Sequence, residues 1–199
     1  MVVIRHRYED YDSEYLTIAD YLVNFKDVFL MTAVYKRMKE WFVEEGFTTG
    51  SDKDFPEVFY LEKEGKAGKE LWFRWRFQKT PLNNQFWRYD FDVDVHCLGL
   101  NKVETIIDNK KVKIDKGEVE VQVKTNLVMN WAARLKKTAF RPFREVIYRI
   151  FLKDTRKRLE NELYDLSFGF REALNNLFKL PHFEAKKGGL EFWPKKFPE

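Results

Sequence analysis

From Leu71 to Cys97 the chain alternates one bulky apolar residue with one charged or polar residue, in "LWFRWRFQKTPLNNQFWRYDFDVDVHC". That two-residue beat is the pattern of β-strands with one face buried. Parity puts Leu71, Phe73, Trp75 and Phe77 on one face with Trp87, Tyr89, Phe91, Val93, Val95 and Cys97. The other face takes Trp72, Arg74, Arg76 and Gln78 beside Arg88, Asp90, Asp92, Asp94 and His96. A five-residue hairpin loop at "TPLNNQ" predicts Arg76 opposite Asp90 and Arg74 opposite Asp92. Burying one ring stabilises by roughly 1.5–3 kcal/mol, whereas a cross-strand ion pair contributes only ~0.2–1 kcal/mol. Ring burial therefore sets the register, and the charged face stays wet or meets a polar partner.

The same reading extends along the chain. Val2 to Tyr8 alternates and predicts a short strand over 1–8. Leu22, Phe25, Phe29, Thr32, Tyr35, Met38 and Phe42 recur at three- and four-residue spacing, which predicts a helical segment over 17–46 closed by Gly46. A bend near Asn24 to Asp27 would split that segment in two. From Glu57 to Met129 the period is two, interrupted by "EGKAGKE", "TPLNNQ", Gly99, Asp108-Asn109 and "DKG". These breaks predict seven strands in all, the last six in an antiparallel meander over 57–129. Pro142 suits a helix start, and Leu159, Leu163, Leu166, Phe170, Leu174 and Leu177 continue a stripe to the stop at Pro181. A helical region over 140–180 and a turn-rich tail over 181–199 complete a single α+β domain spanning 1–199. Its antiparallel sheet has one apolar aromatic face covered by an N-terminal helical segment and a long C-terminal helix.

This order of strand, helical segment, meander and long final helix resembles the helix-grip fold of the START and Bet v 1-like superfamily. The resemblance rests on element order and on no signature motif. It implies an apolar or lipid-like ligand held between the sheet and the last helix, with Phe73, Trp75, Phe77, Trp87, Tyr89 and Phe91 lining the pocket. The residues alone allow two readings of those rings. They pack on the two helical stripes as an ordinary core, or they wall a concave site, which aromatic side chains also suit.

Composition narrows the class. With 44% hydrophobic and 34% charged residues over 199 positions, the chain has the composition of one globular domain rather than a disordered segment. A single cysteine, Cys97, excludes an intrachain disulfide. The N-terminus is charged from Arg5 onward and has no apolar leader, and no uncharged run approaches the length of a membrane span. A cytoplasmic location without a transmembrane segment is the expectation.

Net charge is only +4, but it is unevenly spread. "EDYDSEYLTIAD" carries five acidic and no basic residues, while Arg134 to Arg158 carries ten basic residues against Glu145 and Asp154. Lys136, Lys137, Arg141 and Arg144, with Phe140, Phe143 and Tyr148 interleaved, form a candidate anion-binding segment. It would suit phosphates of a nucleic acid or an anionic membrane surface. An ordinary amphipathic helix has the same composition.

Candidate chemistry is sparse. Asp92, Asp94 and His96 share a strand face, but the neighbouring Arg74 and Arg76 would repel a cation, so salt bridging is expected there rather than metal binding. His6 has no inward carboxylate or nucleophile beside it, His182 follows a helix end, and Cys97 falls on the apolar face. Phosphate-loop, dinucleotide, nucleophile-elbow and zinc-protease motifs are absent from the sequence. No cofactor is implied. The expectation is a non-enzymatic binding domain for an apolar ligand, with nucleic-acid or anionic-surface binding and a structural, protein-interaction role as alternatives.

Overall fold

The structure, a computed structural model, describes residues 14–49, 51, 54–66, 68–81, 86–107, 110–129 and 152–179. Five strands and two helices fall among them. The strands are β1 (Glu14–Phe29), β2 (Glu57–Gly65), β3 (Gly68–Lys79), β4 (Trp87–Ile107) and β5 (Lys110–Met129). The helices are α1 (Met31–Glu44) and α2 (Lys153–Lys179). The strands form one antiparallel sheet in the order β1-β5-β4-β3-β2, so the first strand lies beside the last and β2 is an edge. The α+β class, the aromatic face and the long C-terminal helix stand as expected. The expected strand over 1–8 and the helical stretch over 140–151 lie outside the described residues, as does the tail over 181–199.

Two expectations about the elements are corrected. Residues 17–29 are strand, and helix begins only at Met31. Phe25 and Phe29 satisfy a four-residue repeat, yet Ala19, Tyr21, Val23 and Phe25 satisfy a two-residue one equally well. The β-branched and aromatic residues Tyr15, Thr17, Ile18, Tyr21 and Val23 favour the strand. Leu22, placed on the expected helical stripe, is exposed. The helix does end where expected, at a Gly46 with φ 69°. Gly46 N–H donates to Val43 O and Phe47 N–H to Phe42 O, the paired bonds of a Schellman cap.

The second correction concerns strand count. Gly99 and the "DKG" segment do not turn the chain; they lie inside the long β4 and β5. Gly99 takes φ 60°, a conformation that a β-carbon disfavours. A β-carbon on Gly117 would lie 2.8 Å from the Leu98 carbonyl oxygen and 2.9 Å from Leu100 Cδ2. The two glycines let neighbouring backbones approach within continuing strands, which is what glycine inside a strand often marks.

Contacts divide the described chain into two compact units. The first contains, of the described residues, 14–21, 76–81, 86–92, 123–129 and 152–168. In it Tyr21 donates its hydroxyl to the Ser167 carbonyl at 2.6 Å and packs against Phe168, and Thr17 donates to Asn126 Oδ1 at 2.8 Å. The second contains 22–49, 51, 54–66, 68–75, 93–107, 110–122 and 169–179. Its core is a ring cluster: Trp75 meets Tyr35, Phe42, Phe55 and Phe73, and Phe170 of α2 meets both Trp41 and Phe42. Phe25 stacks on Phe178 at 4.7 Å.

Trp75→Ala is expected to lower the unfolding free energy by about 3–5 kcal/mol, because it empties the middle of that cluster. Gly117→Ala should cost about 1–3 kcal/mol through backbone overlap alone. Urea denaturation of each variant measures both.

Candidate functional site

The six rings expected to line a pocket, Phe73, Trp75, Phe77, Trp87, Tyr89 and Phe91, are each at most 1% exposed. Their burial follows from strand parity, as do those of Val93, Val95 and Cys97. A cleft of the second unit lies elsewhere, and none of the six lines it.

That cleft, about 880 Å³, opens where the ring row of β3 runs out. Antiparallel pairing sets Tyr60 opposite Phe73, Glu62 opposite Leu71, Glu64 opposite Lys69 and Gly65 opposite Gly68. Past Leu71 the inward positions are therefore charged or lack a side chain, and α1 has only just begun above them. Met31, Tyr35, Leu71 and Leu100 supply the apolar lining, with Glu62, Glu64, Lys69, Lys102 and Asp115 as the charged lining. Gly68, at φ 123°, has no room for a β-carbon: one would lie 2.8 Å from Asn101 Nδ2. Glycine thus holds β3 against β4 at the base of the site.

Asp115 ties the cleft together. It is buried, at 5% exposure, and its Oδ2 accepts the backbone N–H of Met31 at 3.1 Å. Leu30 in the N-cap position gives no side-chain cap, so a carboxylate from β5 does that work across the fold. Asp115 Oδ1 pairs with Lys102 Nζ at 2.6 Å. At the other rim Lys69 Nζ pairs with Glu62, whose carboxylate also accepts the Tyr60 hydroxyl. The Lys69 bond, then the Tyr60 bond, holds the Glu62 carboxyl below the usual carboxylate range. Burial first, and then the Glu62 bond, pushes the Tyr60 hydroxyl up to about 12.

Tyr35 joins cleft to core. Its ring packs edge-on against Phe73 and Trp75, and its hydroxyl donates to Glu57 Oε1 at 3.1 Å. The same oxygen accepts Trp75 Nε1–H at 3.0 Å. Behind Met31, Cys97 Sγ lies 3.5 Å from the Met31 sulfur. Burial, and secondarily the Asp115 charge, pushes the Cys97 thiol up to about 12, so it is a packed thiol and a poor nucleophile.

On the outward face a lattice of ion pairs joins β3 to β4: Arg76 Nε meets Asp92 at 3.7 Å and Arg74 Nε meets Asp94 at 3.9 Å. Asp90 is fully buried and takes a two-point bond from Arg88 at 2.7 and 2.9 Å. His96 stacks on Trp72 at 4.7 Å and approaches Glu120 at 3.9 Å. Among the described residues no group of three His, Cys, Asp or Glu is arranged for a metal.

The anion-binding candidates Lys136, Lys137, Arg141 and Arg144 lie outside the described residues. Of the same basic stretch, Lys153, Lys157 and Arg158 are exposed on α2, and Arg156 pairs with Glu160 at 2.9 Å. No helix among the described residues is long and apolar enough to cross a membrane. No family model matches the chain, and no curated protein matches it in sequence.

The cleft residues escaped the sequence reading, although a signal was there. Glu62, Glu64 and Lys69 break the apolar parity on the inward face, and inward charge marks a site that is open rather than packed.

Asp115→Ala is expected to destabilise by about 1–3 kcal/mol, since it strips a buried N–H of its acceptor; chemical denaturation reads this. Cys97 should resist a disulfide reagent at pH 8 in the folded protein and react at once in denaturant. Because the folded-state value of Glu62 is depressed, the Lys69–Glu62 pair is intact above the ordinary carboxylate range. It is lost only as pH falls through that lower value, and a carboxyl-carbon NMR titration of Glu62 would follow the loss.

Proposed function

We propose that this chain is a non-enzymatic binding domain of helix-grip type that takes an amphipathic small molecule in the cleft bounded by α1, β2, β3 and β4. The observation that carries the reading is the cleft itself: about 880 Å³ with an apolar lining of Met31, Tyr35, Leu71 and Leu100 and charged side chains around it. Ligand sites commonly combine these features, a mostly apolar concavity with a few polar groups that fix orientation. An apolar body would cover Leu71 and Leu100, while Asn101, Lys102 and Glu64 would meet its polar end. Support for the fold type comes from the strand order, with β1 beside β5, and from the long C-terminal helix. The ligand's place differs from the one the resemblance implied, because the six rings are consumed by packing. The salt-bridged Lys69–Glu62 and Lys102–Asp115 pairs hold the rim without an outside partner, so the site can exist empty.

The neutral fluorophore N-phenyl-1-naphthylamine provides the test. Saturable binding to the full chain is expected, with fluorescence enhancement competed by single-chain amphiphiles. Thr32, exposed at the cleft mouth, can be enlarged without touching the core. Thr32→Trp should weaken the probe roughly tenfold, equivalent to about 1.4 kcal/mol, with unchanged stability. Absence of saturable binding, or equal affinity in Thr32→Trp, would rule the reading out.

A further inference from the structure

The cleft sorts its lining along β2. Inward positions run from Tyr60, opposite Phe73, through Glu62, opposite Leu71, to Glu64, opposite Lys69, and the strand ends at Gly65 against Gly68. At about 3.3 Å per residue, Glu64 stands roughly 13 Å beyond Tyr60. Leu71, and Tyr35 packed on Phe73, therefore lie toward one end, and Glu64 lies toward the other. There it stands beside two glycines, Gly65 and Gly68, which have no side chain to cover it.

Charge on the lining is uneven. Three carboxylates, Glu62, Glu64 and Asp115, share the cleft with two ammonium groups, Lys69 and Lys102. Each lysine is already committed, Lys69 to Glu62 and Lys102 to Asp115. Lys69 is directly across the ladder from Glu64, yet it turns to Glu62 instead. Glu64 is exposed, and among the described residues its carboxylate has no ion pair and no hydrogen bond. An anionic ligand end would find a carboxylate already on each lysine and would lie in the field of Glu64. Drawing Lys102 away would leave the buried Asp115 short of its partner, which is costly. A cationic end needs no pair broken.

On the reading that the cleft is the binding site, we propose that the polar end of its ligand is an ammonium group seated at Glu64. The ammonium donates to the Glu64 carboxylate, and the apolar body extends toward Leu71 and Tyr35. Three positive charges then balance three negative ones, and both lysine pairs stay closed as the ligand enters.

Displacement of N-phenyl-1-naphthylamine from the full chain at pH 7 tests the charge. Decylamine, decanol and decanoate, each below its critical micelle concentration, put a positive, a neutral and a negative end on one chain length. At an exposed site the attraction and the repulsion are each worth up to about fivefold. Decylamine should therefore compete about tenfold more strongly than decanoate, with decanol between them. High salt should bring the three together, because screening acts on the charge and not on the chain. In Glu64→Gln the ratio of decylamine to decanoate should fall severalfold toward one; being a ratio, it does not depend on how well the reporter itself binds. Decanoate equal to or stronger than decylamine would overturn the proposal, as would a ratio unchanged in Glu64→Gln. Either result leaves the cleft standing as a binding site, whereas a chain that binds neither the reporter nor any of the three compounds loses both. Should Glu64→Gln fail to fold, the response of the wild-type order to salt decides.

Discussion

Everything distinctive in the second unit hangs on one carboxylate placed where carboxylates rarely stay. Asp115 is buried, and a buried charge is tolerated only when its oxygens are engaged. Both are: one caps the first turn of α1 through Met31 N–H, and the other meets Lys102. Consequences run in two directions. The cap fixes where α1 begins over the sheet, and hence where its covering stops. Lys102 is drawn to the cleft wall, and the thiol of Cys97 is left in a low-dielectric corner where ionisation is disfavoured. Removing the carboxylate would loosen helix and wall together, because Met31 N–H and Lys102 Nζ are held by the same two oxygens.

The cleft is a by-product of how a ring row terminates. Along β3 the inward positions run Phe77, Trp75, Phe73, Leu71 and then Lys69. Along β2 the facing positions run Tyr60, Glu62 and Glu64. Rings can fill the space under α1 and α2, but two carboxylates and an ammonium cannot be packed against apolar neighbours without losing hydration. They pair at the rim instead, and the volume that a Phe or Leu would have filled remains open. Tyr35 sits at the boundary with its ring in the cluster and its hydroxyl on Glu57, so the edge of the cavity is anchored to the buried ring cluster.

Much of this architecture could be read from strand parity. Every inward residue from Leu71 to Cys97 is buried, and the Arg–Asp lattice stands on the outward face, because a two-residue period leaves no third choice of direction. What parity cannot fix is which charge of the facing strand each arginine meets, and Arg76 reaches Asp92 while Arg74 reaches Asp94. Residues 17–29 failed for a different reason. Aromatic residues four apart also satisfy a two-residue repeat, and pairing with β5, invisible to any local window, settles the matter in favour of strand. Asp115 and Gly117 have the composition of a turn, and only the tertiary roles of helix cap and close backbone approach explain them. The cleft was missed because attention to apolar positions overlooks what charge at an inward position means.

Separating the stabilising residues from the cleft residues has a consequence for how such a domain can change. Trp75, Phe73, Phe42 and Phe170 hold one another, and a substitution among them alters the whole cluster. Thr32 and Glu64 line the cleft with no part in that cluster, and surface changes away from special features shift stability by at most about 0.5 kcal/mol. These positions of the cleft can therefore drift while the fold stays fixed. Asp115 is the exception, since it belongs to both, and a change there cannot retune the cavity without moving α1. A domain built this way keeps its geometry legible in sequence as a rhythm of rings, while the residues that line its cleft obey no rhythm at all.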